Sequence, residues 1–597
     1  MAKEDDVYRF AMHTSIVLSG LTLISGLLGI FKVRLINTFR VWIRISKNSD
    51  LLFGDFESCK MYAKKNKNSI LIIDMNFYKL NSLKRQELYL EGIAFIQAKF
   101  SCKFINKIEK LYRKDLHFIL FYKDAFNILN EFYESIDILK KCNNKTVYFH
   151  VEVNDDTESY YDNFIFHLND LIKDKKIIIY PFNIEEMIAN NFSKNETLAL
   201  HMPNDFIKDG VVETNCEIDV VFIGFGKTNQ AIFKNCLMNN QFIQVNEKGL
   251  YEAKPVNYFI FDKNKEQFEN PFIKTLLSID RIREATDNNQ YFGKIDKICN
   301  IKFFDSNINS EVFTNAIYSN VTDKNKRHFK IFFVGLKDQF ENVSIAIDIK
   351  NRIKDKDVTI YYKTDSKNKK IEEFIGDKLI SYGFKNDIYQ RKVLIDDNIF
   401  HLAELSNQHY NEKSNNNPLT FYELLLIEKK SNIYLLKSLE FKLNLFNLKT
   451  VSDSSNLEEV SIDEIFKIIQ ANKNTSYEDY FKINPKNTLI ALEHLRWEVF
   501  YLFNSYSPMK KEDIYFDENK KKIIHKNGLI REHAFITSFY GIDAIHKYEA
   551  QMAVNAGLYT DYDEALNNIE TYKYDLLSID LLKDFLKTRE LKIVKKP

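Results

Sequence analysis

Short runs dense in Ile, Val, Phe and Tyr recur between residues 51 and 390, and helix-length polar stretches separate them. They are SILIIDMNF (69–77), LHFILFY (116–122), KTVYFHVEV (145–153), KIIIYPFN (176–183), IDVVFIGF (218–225), VNYFIFDK (256–263), FKIFFVGL (329–336) and DVTIYYKTD (357–365). Strands apolar along their length need cover on both faces, and strands joined through helices pair in parallel. The pattern predicts α/β domains on parallel sheets. Composition agrees: 16 Gly and 8 Pro in 597 residues fall below the usual shares of about 7% and about 5%, which excludes collagen-like, low-complexity and turn-dense all-β chains. With 45% hydrophobic and 14% aromatic residues the chain can fill real cores, and its length suits three or four domains of roughly 100 to 200 residues.

The 84 basic and 83 acidic side chains leave a formal charge of +1, which removes the bulk electrostatic case for nucleic-acid binding. Cys59, Cys102, Cys142, Cys216, Cys236 and Cys299 show no C-x-x-C spacing, so neither a disulfide framework nor a metal site is expected. A mean hydropathy of −0.33 describes a soluble average, but one segment departs from it. Ser15–Phe31 carries no charge for 17 residues, the short end of the range of about 17 to 25 that spans a bilayer as a helix. Glu4, Asp5 and Asp6 precede it and Lys32 and Arg34 follow, which disfavours a cleaved signal. Downstream, Lys32, Arg34, Arg40, Arg44 and Lys47 interleave with Leu35, Ile36, Phe39, Trp42 and Ile43. By the positive-inside rule that flank is cytoplasmic, and its spacing suits a helix in the headgroup layer. The expected layout is residues 1–12 outside, a transmembrane helix over 13–31, a basic amphipathic juxtamembrane segment over 32–50, and the bulk on the cytoplasmic side of a bacterial inner membrane. The alternative is a buried core helix. Ser15/Ser19, Thr22/Gly26 and Ser25/Gly29 recur at the four-residue spacing that lets helices approach closely in lipid, so a homo-oligomer is expected.

Residues 51–210 are expected to form a first Rossmann-like domain. Its first strand runs into Asp74-Met75-Asn76, where a dinucleotide-binding fold needs glycines, so this domain reads as a scaffold without a phosphate loop. Residues 211–390 form a second. There an apolar strand meets Gly224-Phe225-Gly226 and then a helical pattern, so Gly224 permits the sharp turn and Gly226 admits a phosphate to the helix N-terminus. Asn229 stands in the third glycine position, and Asp262 ends the next strand as a ribose-binding acid would. The alternative is a glycine turn that merely closes a strand–helix junction. GFGKTNQAI with VNYFIFDK resembles the nucleotide-binding domains of potassium-transport regulators, the RCK or KTN family, as does IYPFNIEEMIANNF (179–192). The resemblance covers roughly residues 65–370. It implies two tandem units, NAD or another adenine nucleotide as ligand, and Gly224, Gly226, Lys227, Thr228 and Asp262 as the residues that hold it.

Beyond residue 395 helical patterning takes over. Leu489, Leu492, Leu495, Val499 and Leu502 form an apolar stripe beside Glu493, His494, Arg496 and Trp497. Taken singly, His494 and Trp497 read as core residues. Together with Lys430-Ser431-Asn432 upstream and Arg531-Glu532-His533 then FITSFYGID downstream, the set resembles the bacterial form of the ryanodine-receptor repeat (RyR) domain over roughly 395–560, within a domain at 391–597. Ser505-Tyr506 departs from that family's Gly-Trp pair. The resemblance implies a mainly helical module that senses a nucleotide-derived messenger, with Ser431, Asn432, Glu493, His494, Arg496, Trp497 and His533 at its site. Arg496 suits a phosphate, Trp497 a stacked base, and Ser431, Asn432, His494 and His533 its polar edges.

No nucleophile–base set, Walker loop or catalytic carboxylate pair stands out, so catalysis is not expected. The leading expectation is a membrane-anchored receptor or effector that senses a nucleotide-type small molecule, oligomerises and perturbs the membrane, as in bacterial antiphage signalling. One alternative is a nucleotide-binding regulatory subunit of a potassium channel or transporter; another is an NAD-dependent enzyme.

Overall fold

The computed structural model describes residues 2–73, 80–98, 104, 108, 111–112, 115–121, 146–153, 177–306, 310–318, 326–353, 358–365, 379–396, 399–413, 421, 424, 426–451, 458–461, 477–517, 522–569, 571–588 and 591–596. The chain divides into two compact units, residues 1–184 with 386–398, and residues 185–385 with 399–597.

The first unit opens on a helix, α1 (Ala2–Ser46), followed by β1 (Asp50–Gly54), α2 (Phe56–Lys65), β2 (Ser69–Ile73), α3 (Ser82–Leu90), β3 (Ala94–Gln97), β4 (Leu116–Phe121), β5 (Val147–Glu152) and β6 (Ile177–Phe182). The strands form one parallel sheet in the order β3-β2-β1-β4-β5-β6, the doubly wound order of dinucleotide-binding folds. Leu51, Phe53, Ile70, Ile72, Phe118 and Leu120 fill one of its faces. Asp55 caps α2 by accepting from Ser58 N–H at 3.0 Å. Segment 386–398 returns to this unit, where Arg391 pairs with buried Asp50 and Asn66 Nδ2 donates to Tyr389 O at 2.8 Å. The Asp74-Met75-Asn76 turn, read as a lost phosphate loop, lies outside the described residues.

The end of α1 corrects one expectation. Asn37 docks it on edge strand β3 by donating from Nδ2 to Phe95 O at 2.8 Å and accepting from Phe95 N–H at 3.0 Å. Arg40 donates to Tyr89 O at 2.9 Å, and Arg44 donates to Ser69 O at 2.6 Å and Gly92 O at 2.7 Å. Two of the five basic groups expected among lipid headgroups therefore satisfy backbone carbonyls of β2, α3 and the α3–β3 connection, while Leu35, Phe39 and Trp42 stand 68%, 60% and 66% exposed. Val41 and Ile45 pack on the core of this unit, whereas Leu35, Phe39 and Trp42 point away from it. Further up α1, Ile16, Val17, Leu18, Leu21 and Ile24 are also exposed. Among the described residues no helix is long and apolar enough to cross a membrane; the side chains of Leu23 and of residues 25–31, including Ser25, Gly26 and Gly29 of the small-residue pairs, lie outside them.

The second unit repeats the sheet. After α4 (Ile184–Asn195), strands β7 (Cys216–Ile223), β8 (Val256–Phe261), β9 (Cys299–Phe304), β10 (Arg327–Val334), β11 (Val358–Lys363) and β12 (Leu379–Tyr382) run parallel in the order β9-β8-β7-β10-β11-β12. Helix α5 (Lys227–Asn239) follows β7, a two-stranded ribbon joins Phe242–Val245 to Tyr251–Lys254, and α6 (Lys265–Ala285), a helix over Glu311–Tyr318 and α7 (Gln339–Arg352) lie in later crossovers.

The C-terminal module contributes α8 (Ile399–Lys413), α9 (Leu426–Lys437), α10 (Leu439–Leu445), α11 (Pro485–Phe503), α12 (Gly541–Asn555) and α13 (Tyr574–Thr588). Asn484 caps α11 by accepting from Asn487 N–H, and Pro485 follows at its first turn, where a missing N–H costs nothing. Helices α8, α9, α11 and α13 pack together, and α11 also touches α5, α6 and the ribbon. One core joins Val220 and Phe222 of β7 to Leu489, Leu492 and Leu495 of α11. The compact units divide at 184/185, 385/386 and 398/399, and the helical module shares its core with the second sheet domain.

Candidate functional site

At the C-terminal edge of β7, Gly224 takes a φ of +76°, and a Cβ there would stand 2.7 Å from Leu336 and 2.9 Å from Gly335 O, so only glycine fits. Gly226, just before α5, is exposed and an added Cβ would meet nothing within 4 Å. Asn229 ties the loop shut: its Nδ2 donates to Gly224 O at 2.6 Å and its Oδ1 accepts from the Tyr382 hydroxyl. Asp262 accepts from Phe225 N–H at 2.7 Å and from Asn264 N–H at 2.8 Å, and Thr228 is buried, donating to Glu185 at 2.7 Å. An incoming phosphate would meet a carboxylate on the amide it needs. Of the five residues assigned to a nucleotide here, Gly226 and Lys227 face solvent, while Gly224, Thr228 and Asp262 are engaged within the loop and its neighbours.

The seven residues assigned through the second resemblance come together. Ser431, Asn432, Glu493, His494, Arg496, Trp497 and His533 all line one cavity of about 510 Å³ between α8, α9, α11, α13 and the segment 522–542, within the range of about 300–1,000 Å³ typical of small-molecule sites. Helix α11 makes it possible. It is buried nearly all round, yet it carries Glu493, His494, Arg496 and Glu498 inside the protein, and charged groups survive burial only when paired and hydrogen-bonded.

Arg496 is 2% exposed. Its Nε and Nη2 donate to the two oxygens of Glu493 at 2.9 and 2.7 Å, and Lys442 Nζ donates to the same carboxylate at 2.6 Å and to Ser438 Oγ at 2.7 Å. Burial raises the Glu493 pKa, but the adjoining Arg496 and Lys442 outweigh it and hold the carboxyl below its ordinary range. The remaining guanidinium nitrogen, Nη1, is buried with no partner among the described residues. Such a group is costly unless a partner reaches it, and Arg496 lines the cavity.

His494 gives both ring nitrogens to the protein, Nε2 to Thr537 O at 2.7 Å and Nδ1 to Asp575 at 3.1 Å. A carbonyl oxygen can only accept, so Nε2 carries a proton. Burial pulls the pKa of His494 down, but Asp575, Glu498 and the carbonyl more than reverse this and raise it to about 9. His494 and Glu493 thus orient the site without a free polar edge for a ligand. His533 differs: its Nδ1 accepts from Phe535 N–H at 3.1 Å, and burial, with His525, Lys526 and His494 nearby, keeps the ring neutral by pushing its pKa well down. The Ser431 and Asn432 side chains bond to no described residue.

The wall around Arg496 is aromatic. Trp497 lies 4.3 Å from Tyr501 and 4.9 Å from His533, ring centre to ring centre, and Phe535 lies 5.1 Å from His533 and 5.8 Å from Tyr574. The departure at Ser505-Tyr506 is accommodated here: Ser505 adopts a φ of +64°, a conformation that favours glycine, and buried Tyr506 stands edge to face with Tyr501, ring centres 4.9 Å apart. Tyr501 was within reach of sequence reasoning, one turn beyond Trp497 on α11. Asn407, Glu428, Tyr574 and Asp575 come from helices whose sequence carries no signal of facing α11.

No protein-family model and no curated protein matches the chain. Among solved structures it is similar to a GsuK channel (8% identity over 60% of this chain and 65% of that one, TM-score 0.32), to GsuK bound to ADP (9%, 59% and 70%, TM-score 0.29) and to the GsuK RCK domain (7%, 60% and 79%, TM-score 0.30). The likeness is slight, and the chemistry of the cavity stands on its own residues.

Proposed function

We propose that the chain is a nucleotide-responsive regulatory protein, in which the cavity of the helical module takes up a nucleotide-type ligand and α1 attaches the chain to a membrane. The observation that carries this reading is a buried guanidinium with one unpartnered nitrogen, beside a wall of Trp497, Tyr501 and His533. A phosphate satisfies the first and a base stacks on the second. The reading is one of binding, since His494 is held by the protein at both ring nitrogens. Since α11 also touches α5, α6 and the ribbon, occupancy acts on the second sheet domain directly. The exposed apolar residues of α1 favour lipid as its surroundings.

The chain holds two tryptophans, Trp42 and Trp497, so a W42F variant reports on the cavity by fluorescence. Titration with nucleotides, including AMP and adenosine 3′,5′-cyclic monophosphate, is expected to quench Trp497. Base–aromatic stacking contributes about 1–3 kcal/mol, so W497A, followed by calorimetry, is expected to weaken binding about fivefold or more. Binding that survives W497A but is lost in K227A would move the site to the glycine loop and refute the reading.

A further inference from the structure

The charges around the cavity determine how much charge its ligand carries. Lys442, Glu493 and Arg496 form a buried group of two cations and one carboxylate, 3%, 1% and 2% exposed. The other charged groups on the wall are already matched or solvated among the described residues. Glu428 accepts from Lys526 at 3.0 Å, Asp575 pairs with His494 at 3.1 Å, His525 faces Glu549 at 3.4 Å, and Lys522 is exposed at the edge. His533 is neutral by its hydrogen bond from Phe535 N–H. One positive charge is left over, on a triad in which Arg496 Nη1 is the nitrogen without a partner among the described residues.

An uncompensated buried charge is far more costly than a paired one. A ligand delivering one negative charge to Nη1 completes the triad. A second or third negative charge would instead face the carboxylates of Glu428, Glu493 and Asp575. We propose that the cavity selects a nucleotide carrying a single, singly charged phosphodiester, whether cyclised on one nucleoside or linking two, and discriminates against both uncharged nucleosides and polyphosphates. This rests on the nucleotide reading above and adds its charge.

The test is isothermal titration of the full chain with adenosine, adenosine 3′,5′-cyclic monophosphate, adenylyl-(3′→5′)-adenosine and ATP. At least one of the two phosphodiesters is expected to bind tenfold or more tightly than adenosine, with ATP weaker than that phosphodiester; which of them binds better identifies the source. ATP binding most tightly would overturn the charge inference while leaving the nucleotide reading intact, as would adenosine binding equally well. No binding by any of the four would overturn both. Arg496→Met is expected to collapse the phosphodiester-to-adenosine ratio to near one. Lys442→Met is the second arm, because Lys442 does not line the cavity but supplies the surplus charge: it leaves Nη1 in place and is still expected to lower the ratio at least tenfold. An unchanged ratio in a folded Lys442→Met protein would overturn the proposal.

Discussion

His494 shows how a residue can belong to a site without being offered to the ligand. Its two hydrogen bonds, to a carboxylate and a carbonyl, fix it as an imidazolium inside the protein. This has a consequence for stability that can be signed. An unfolded histidine titrates near 6.5, whereas Asp575, Glu498 and the Thr537 carbonyl, against the opposing effect of burial, raise His494 to about 9. A raised folded pKa means that its contribution is fully present below pH 6.5 and is lost as pH rises to about 9. Lys429, pushed down to about 8 by burial, gains stability over overlapping pH values with the opposite sign, so the quantity to measure is a difference between proteins. Between pH 6 and 9.5, urea unfolding of the wild type is expected to lose up to about 3 kcal/mol more than that of H494Q. Parallel pH profiles would show that the Asp575 pair does not hold the proton.

Helix α1 makes the corresponding case at the scale of an element. Its periodicity defines two faces, but periodicity does not say which face the protein takes. The first unit takes the one that carries Asn37, Arg40 and Arg44 together with Val41 and Ile45, and leaves Leu35, Phe39 and Trp42 outward. A W497F variant retains Trp42 as its only tryptophan. Reconstituted into anionic vesicles, it is expected to show a blue-shifted emission, and L35S/F39S is expected to weaken vesicle partitioning at least tenfold, since burying each large apolar side chain contributes about 1.5–3 kcal/mol. Emission identical in buffer and in vesicles would exclude lipid as the occupant of this face. The strands and the glycine turn were legible because continuous Ile, Val and Phe runs and a required positive φ at Gly224 write themselves into residue type. The docking of α1 was not, because its acceptors are the backbone carbonyls of Ser69, Tyr89 and Gly92, which any sequence supplies.

At the scale of the molecule, two sheets of one topology have different companions. The cavity's residues on α11 were legible as a cluster, but the fusion of the helical module with the second sheet domain was not, because a shared core between β7 and α11 leaves no mark on either segment. That fusion makes a thermal prediction. A chain of two compact units is expected to unfold in two calorimetric transitions rather than one, and the tryptophans divide between them, Trp42 in the first and Trp497 in the second. A ligand binding only the folded state stabilises by about 2.7 kcal/mol at 100 times its dissociation constant. Because the cavity lies wholly within residues 399–597, the phosphodiester that binds is expected to raise the transition reported by Trp497 in W42F and to leave that reported by Trp42 in W497F where it was. The helical module and the second sheet domain should rise together, because their common core cannot melt in halves. A third transition, moved alone by the ligand, would separate the helical module from the sheet it packs on and remove the direct route from cavity to sheet domain.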